Sequence, residues 1–196
     1  MNIDYTEELL DEYLLAGLSE EELYMVKHIA VEPMTDTAEY SMEPEIMQAY
    51  YEVLVGEKEF ISVMDDNRLF YIDSYQDRNE NDRGEDEILY FSIVDIDRDG
   101  VYEVILTDDE TNILNYKDGS IYCYRYRYDE IGAITNSGIF SMGNLYYFGY
   151  DDKYGIINSF EEDGCDIEEV DYNGNINDDR IRYYYFSEEL IEQYFK

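Results

Sequence analysis

The centre of the chain contains two apolar segments joined by a short acidic turn, and this feature constrains the fold more than any other. Residues 88–94 and 101–107 are rich in isoleucine and valine, and aspartates at alternate positions followed by a glycine lie between them. Apolar, β-branched runs bounded by turn residues are typical of β-strands, and glycine allows the chain to reverse. The sequence therefore predicts two strands joined by an aspartate-rich turn.

The turn has the residue types and the spacing of a loop that binds a hard cation. Asp95, Asp97, Asp99 and Glu103 bring carboxylates to one turn, and Val101 can contribute its backbone carbonyl. Ca²⁺ takes about six to eight oxygen ligands, and a ligand set made only of protein oxygens favours it over Mg²⁺. We therefore expect these five residues to hold a Ca²⁺ ion that ties the two strands together. The alternative is an acidic turn that binds no ion.

The motif resembles two known classes of calcium loop. The spacing of its carboxylates around Gly100 is similar to that of FG-GAP repeats in integrin-type propellers, where such a turn joins two β-strands. Its first half also resembles an EF-hand, but Leu106 stands where an EF-hand has its bidentate glutamate, so a helical EF-hand is not expected. The wider stretch, 91–106, is similar to segments of uncharacterised bacterial proteins that carry one such loop. That resemblance implies no particular activity.

Charge and aromatic content together indicate a folded protein. The 196 residues include 49 acidic and 13 basic side chains, and this imbalance alone is typical of disordered chains. However, 45% of the residues are hydrophobic and 24 are tyrosines. Tyrosine buries its ring while its hydroxyl stays in water, so a thin sheet with partly exposed faces can be built from it.

Capping residues and apolar stripes predict four helices. The first covers 4–16, and the second runs from the capping residue Ser19 to the proline at position 33. The third begins at Pro44, whose fixed φ suits a first helical turn, and ends at Gly56. The fourth follows Ser187, which is placed to cap a short C-terminal helix.

Short apolar segments separated by glycine and asparagine turns predict strands in the rest of the chain. The predicted strands are 60–64, 69–75, 88–94, 101–107, 112–116, 120–128, 138–142, 145–150, 155–160, 167–172 and 181–186. We therefore expect an α+β fold in which N-terminal helices pack on a largely antiparallel, Tyr-rich β-meander that a short C-terminal helix closes. A helical segment, 1–56, and a β domain, 57–196, would form one compact unit.

The net charge of −36 indicates the kind of partner. Repulsion excludes nucleic acid and anionic membranes as direct ligands and favours a basic protein surface. The predicted contact residues are carboxylates of the second helix and of a long acidic loop: Glu20, Glu21, Asp77, Glu80, Asp82, Glu85, Asp86 and Glu87. In charge and size the chain is similar to DNA-mimic inhibitors, including immunity proteins and anti-CRISPR proteins from bacteria or phages. This likeness implies a non-enzymatic inhibitor that blocks the basic surface of a nuclease or another nucleic-acid-binding partner, and this is the leading hypothesis for function. The alternative function is a calcium-binding structural or adhesion module organised by the 95–103 loop. For the charge itself, an ordinary solvated acidic face is the alternative.

No residue pattern typical of catalysis occurs in the sequence, so we expect a non-enzymatic protein with no catalytic residues. His28 is the single histidine, Cys123 and Cys165 have no histidine near them, and no phosphate-binding glycine loop is present. The N-terminus lacks the basic region and the apolar run of a secretory signal, and no stretch is long and apolar enough to span a membrane. The sequence therefore predicts a cytoplasmic protein with reduced cysteines.

Overall fold

The computed structural model describes residues 42–73, 90–107, 110–127, 130–142, 153–174, 176 and 179–196. These residues belong to one compact unit, Asp36–Lys196. Several predictions lie outside the described residues: the helices over 4–16 and 19–33, the acidic loop 76–87 and the strand 145–150.

Helix α1, Pro44–Leu54, confirms the predicted third helix. Proline stands at its start, where the missing N–H is not needed, and Gly56 follows its end with a φ of +73°. The apolar stripe of α1 faces the core, because Tyr50 and Val53 are fully buried. The hydroxyl of Tyr50 donates a hydrogen bond of 3.1 Å to the carbonyl oxygen of Leu114, which ties α1 to the sheet beside it.

Helix α2, Glu188–Phe195, confirms the predicted C-terminal helix. The Ser187 hydroxyl accepts a hydrogen bond of 3.4 Å from the Leu190 amide, and Glu188 and Glu189 place negative charge in the first turn. Phe195 lies with its ring centroid 6.0 Å from that of Tyr50, so the two described helices pack against each other. No described helix has the length and the apolar character needed to cross a lipid bilayer.

The described strands form two sheets. In chain order they are β1 (Phe60–Ser62), β2 (Arg68–Phe70), β3 (Tyr90–Val94), β4 (Glu103–Thr107), β5 (Glu110–Lys117), β6 (Ser120–Arg127), β7 (Phe140–Met142), β8 (Lys153–Glu161), β9 (Gly164–Val170) and β10 (Tyr184–Tyr185). The larger sheet has seven strands in the order β10-β3-β4-β5-β6-β1-β2, and the smaller sheet has the order β7-β8-β9. A single 3₁₀ turn, Val63–Asp65, separates β1 from β2.

The central hairpins follow the local sequence signals. Strands β3 and β4 pair antiparallel from Tyr90 opposite Thr107 to Val94 opposite Glu103, as predicted for the segments that flank the aspartate turn. Strands β5 and β6 are joined by Asp118 and Gly119, which have φ values of +52° and +81°. Two left-handed residues are the signature of the tight turn that matches the twist of a hairpin, so the predicted turn is confirmed.

Tyr124 of β6 contacts the smaller sheet. The ring centroid of Tyr124 lies 4.9 Å from that of Phe160 on β8, and the Tyr124 hydroxyl donates a hydrogen bond of 3.0 Å to the Glu161 carbonyl oxygen. Within the smaller sheet, Phe140 lies opposite Gly155, and a Cβ built on that glycine would approach the phenyl ring to 2.9 Å. The absence of a side chain at Gly155 therefore makes room for the ring.

The prediction of an α+β fold with one antiparallel meander was wrong. The described chain is mostly β, and its strands are divided between two sheets. The described residues also form two α-helices, one of them C-terminal. Strand β1 also pairs parallel with β6, where Ile61 lies opposite Tyr122. Alternation of apolar residues identifies strands but carries no information on which strands pair across long stretches of chain, so the meander was an assumption about pairing.

Candidate metal site

The aspartate loop, 95–101, joins β3 to β4 at one end of the larger sheet. Two of its residues have left-handed backbone conformations, Arg98 with a φ of +63° and Gly100 with a φ of +92°. These two positions turn the chain back on itself within a few residues. Asp95 and Asp97 are half-buried, and Asp99 is exposed.

Each of the three aspartates uses one carboxylate oxygen to hold the loop backbone. Asp95 Oδ2 accepts from the Gly100 amide at 3.1 Å, and Asp97 Oδ1 accepts from the Asp99 amide at 3.2 Å. Asp99 Oδ1 accepts from the Val101 amide at 2.7 Å. These bonds fix the aspartates so that carboxylate oxygens of all three lie within 4.8 Å of one another. The loop is therefore pre-organised around a small, oxygen-lined space.

Each of the three aspartates offers one carboxylate oxygen to a possible cation. Asp95 Oδ1 is buried and has no hydrogen-bond partner among the described residues. Burial raises the pKa of Asp97 to about 6, and the neighbouring charges of Asp99 and Asp95 add to the shift. A buried carboxylate oxygen without a donor, held among like charges, is unfavourable unless a positive charge is supplied. The three aspartates could therefore hold a metal ion.

Glu103 lies beneath the loop with its carboxylate fully buried. Its Oε2 accepts from the Ile96 amide at 2.9 Å, and its Oε1 accepts from Asn115 Nδ2 at 3.0 Å. Burial raises the pKa of Glu103 to about 9, and the charges of Asp97 and Asp99 add to the increase. Glu103 therefore anchors the loop backbone to the sheet. Its predicted role as the closing ligand stays a prediction, as does the carbonyl of Val101.

Two further residues hold the loop in place and were not identified from the sequence. Asn115 is a buried polar residue of β5 that directly follows the apolar pair Ile113 and Leu114, and this change from apolar to polar is its sequence signal. Gly138 has a φ of +75°, and a Cβ built on it would collide with the carbonyl oxygen of Ile96. The Asn136-Ser137-Gly138 turn signal marks that position, although the sequence placed Gly138 at the start of a strand. The segment that leads to the smaller sheet thus rests directly on the aspartate loop.

A second acidic surface lies on the acidic hairpin, 153–170, which comprises β8, β9 and their turn. Its exposed carboxylates are Glu161, Glu162, Asp163, Asp166, Glu168 and Glu169. Lys153 is the one basic residue of the hairpin, and its Nζ lies 2.8 Å from Glu169 Oε2. Asn158 Nδ2 donates to Asp166 Oδ2 and to Glu168 Oε2, each at 3.3 Å.

The predicted partner-binding carboxylates all lie outside the described residues. They are Glu20, Glu21, Asp77, Glu80, Asp82, Glu85, Asp86 and Glu87. Among the described residues, the acidic hairpin is therefore a strongly charged surface whose side chains can be placed. The sequence analysis did not identify it, because its carboxylates are divided between a turn and a strand.

Comparisons with protein-family models, with curated proteins and with solved structures found no match to this chain.

Proposed function

We propose that this protein is a calcium-binding β module in which the aspartate loop holds one Ca²⁺ ion. The observation that carries the proposal is the buried, unpartnered Oδ1 of Asp95 beside the carboxylates of Asp97 and Asp99 in the described part of the chain. Each of these aspartates has one oxygen that accepts a hydrogen bond from the loop backbone, and Asp95 has its other oxygen buried without a partner. Ca²⁺ prefers such an all-oxygen set.

The ion serves structure in this proposal. It supplies the positive charge that offsets repulsion among three carboxylates within 4.8 Å of one another. Glu103 accepts a hydrogen bond from the Ile96 amide, and Gly138 of the adjoining segment lies against the backbone of the same residue. By stabilising the aspartate loop, the ion would also stabilise the β3–β4 hairpin and the segment that connects to the smaller sheet.

Equilibrium dialysis against Ca²⁺ tests the proposal. We expect one ion per chain for the parent protein and at least a tenfold weaker affinity for the double variant Asp97→Asn, Asp99→Asn, since Ca²⁺ affinity depends on ligand charge. Asparagine keeps a side-chain oxygen for the backbone bonds, so the variant changes charge and little else. The matched control is Glu57→Gln, Asp118→Asn, which removes two exposed carboxylates outside the loop. Equal affinity of parent and loop variant contradicts the proposal.

A second candidate function is favoured by the charge: a non-enzymatic, cytoplasmic protein that blocks the basic surface of a nucleic-acid-binding partner, such as a nuclease. It is supported by the net charge of −36 and by the six exposed carboxylates of the acidic hairpin. Cys123 and Cys165 are free thiols, which suits a reducing compartment. The predicted contacts in 77–87 belong to this candidate.

A pull-down from the source cell lysate, followed by competition with duplex DNA, tests the second candidate. We expect a basic protein to be retained at low salt and to be released by salt and by the DNA. Reversing the charges of 77–87 should abolish capture. Retention that DNA does not disturb, or no retention at low salt, contradicts this function. The two candidates are compatible only if the calcium site is tight, because free Ca²⁺ in the cytosol is too low to fill a weak one.

A further inference from the structure

We propose that β9 is a docking edge for an extended basic segment of the partner protein, which adds to the smaller sheet as a fourth strand. This inference rests on the second candidate function and specifies its mode of binding. Strand addition supplies main-chain hydrogen bonds for affinity and alternate side chains for specificity.

In the described part of the chain, β9 is an edge strand of the smaller sheet. Among the described residues its one strand neighbour is β8, with pairs that run from Tyr154 opposite Val170 to Glu161 opposite Gly164. Alternate residues of an edge strand direct their N–H and C=O groups away from the sheet. Edges are commonly protected by proline, lysine or a bulge. β9 contains neither residue, and the bulge lies on β8 between Ile157 and Ser159. Its seven residues therefore present a regular edge to a partner.

The side chains of β9 divide by face. Ile167 lies opposite the fully buried Ile157, and Cys165 contacts Tyr126 of the larger sheet, so both belong to the inner face. Asp166 and Glu168 alternate with them and are exposed on the outer face. Carboxylates two residues apart on a strand are spaced by about 6.6 Å. A paired strand with lysine or arginine at every second position places its cations beside them.

The charge decides which occupant fits this edge. A second copy of the chain would place the carboxylates of two β9 strands side by side, and like charges across a strand pair are destabilising. Lys153, the one lysine of the hairpin, is bonded to Glu169 rather than to Asp166 or Glu168. The charges that oppose self-pairing therefore favour a basic strand.

Two synthetic peptides of equal charge test the proposal: one of alternating lysine and valine, and one in which proline replaces each valine. Proline keeps the chain extended but removes the N–H of every second residue, and it is poorly tolerated in a paired strand. We expect the lysine–valine peptide to bind the parent protein at low salt, by fluorescence anisotropy, at least tenfold more tightly than the proline peptide. Its binding should also slow hydrogen exchange in 164–170.

The variant Asp166→Asn, Glu168→Gln should weaken binding of the lysine–valine peptide about tenfold, the size expected for two exposed ion pairs. The control Glu57→Gln, Asp118→Asn should not.

The outcomes separate this inference from the function on which it rests. Equal binding of both peptides, without slower exchange in 164–170, overturns strand addition but leaves an acidic binding protein. If the Asp166→Asn, Glu168→Gln variant binds the lysine–valine peptide with unchanged affinity, the peptide contacts another part of the protein, and the inference is also overturned. Failure of both peptides to bind the parent protein, even at low salt, overturns the inference and the second candidate function together.

Discussion

Asn115 Nδ2 lies 3.0 Å from Glu103 Oε1, and this hydrogen bond joins β5 to the carboxylate on which the aspartate loop rests. The other oxygen of Glu103 holds the Ile96 amide at 2.9 Å. Both side chains are buried, so the core of the larger sheet sets the position of the loop. Glu103 is therefore an anchor of the loop, whereas the aspartates are the proposed cation ligands.

Replacing Glu103 should separate its anchoring role from that of the aspartates. Glu103→Ala removes two buried acceptors and leaves the Ile96 amide and the Asn115 side chain without these partners, so we expect unfolding free energy to fall by about 2–4 kcal/mol. Glu103→Gln keeps the shape and one acceptor, and Asn115 can rotate its amide to receive the new N–H, so the loss should be at most about 1 kcal/mol. Urea unfolding in chelator measures both values. Equal losses in the two variants would show that the two hydrogen bonds are unimportant.

Gly138→Ala should disturb the aspartate loop from outside it. The new Cβ collides with the carbonyl oxygen of Ile96, and the φ of +75° strains any L residue. We expect a loss of about 2–4 kcal/mol in unfolding free energy, in the upper range for such sites. Gly119→Ala is the matched control, because it has a φ of +81° and no described atom within 4 Å of where the new methyl group would lie, so it reports strain alone. We expect Gly138→Ala to lower the unfolding free energy more than Gly119→Ala does, and equal losses would contradict a collision with Ile96.

The protein should lose stability in alkali. Burial raises the pKa of Cys165 to about 12 and raises the pKa of Tyr124 well above its usual value. Between about pH 9 and about pH 12 the unfolded chain loses these protons while the folded chain keeps them, so unfolding free energy falls as pH rises. Chemical unfolding across that interval measures the slope. Tyr124→Phe removes one of the buried hydroxyls, so the unfolding free energy should fall less steeply with pH in this variant. An unchanged slope would show that other groups cause the loss of stability.

The sequence predicted the features whose signals are local. The aspartate turn between β3 and β4, the proline that begins α1, the serine that caps α2 and the Asp118-Gly119 turn all depend on a few adjacent residues. Backbone preferences of glycine, proline and capping residues decide such features within one turn of chain. The three aspartates that lie together in the loop were also identified, because their spacing brings them to one turn.

The features that the sequence did not predict depend on pairing across distance. The residues near β1 do not indicate that this strand pairs parallel with β6, with Ile61 opposite Tyr122. Nor does the sequence near Tyr124 indicate that its ring contacts Phe160 of the smaller sheet. The contact of Asn115 with Glu103 likewise crosses from one strand to another, and the approach of Gly138 to Ile96 crosses between segments. Local patterns give the faces of strands but not their neighbours, and the anchoring of the site therefore became visible only in the fold.

Thermal unfolding of the parent protein in Ca²⁺ and in chelator is the most direct test of the central claim, that the aspartate loop binds a stabilising ion. At free Ca²⁺ about 100 times the dissociation constant, binding adds about 2.7 kcal/mol, and a chain of this size should melt about 5–10 °C higher than in chelator. The Asp97→Asn, Asp99→Asn variant should show no such rise, whereas the Glu57→Gln, Asp118→Asn control should show the full rise. A parent protein that melts at the same temperature in Ca²⁺ and in chelator, or a loop variant that responds like the parent, would contradict the claim.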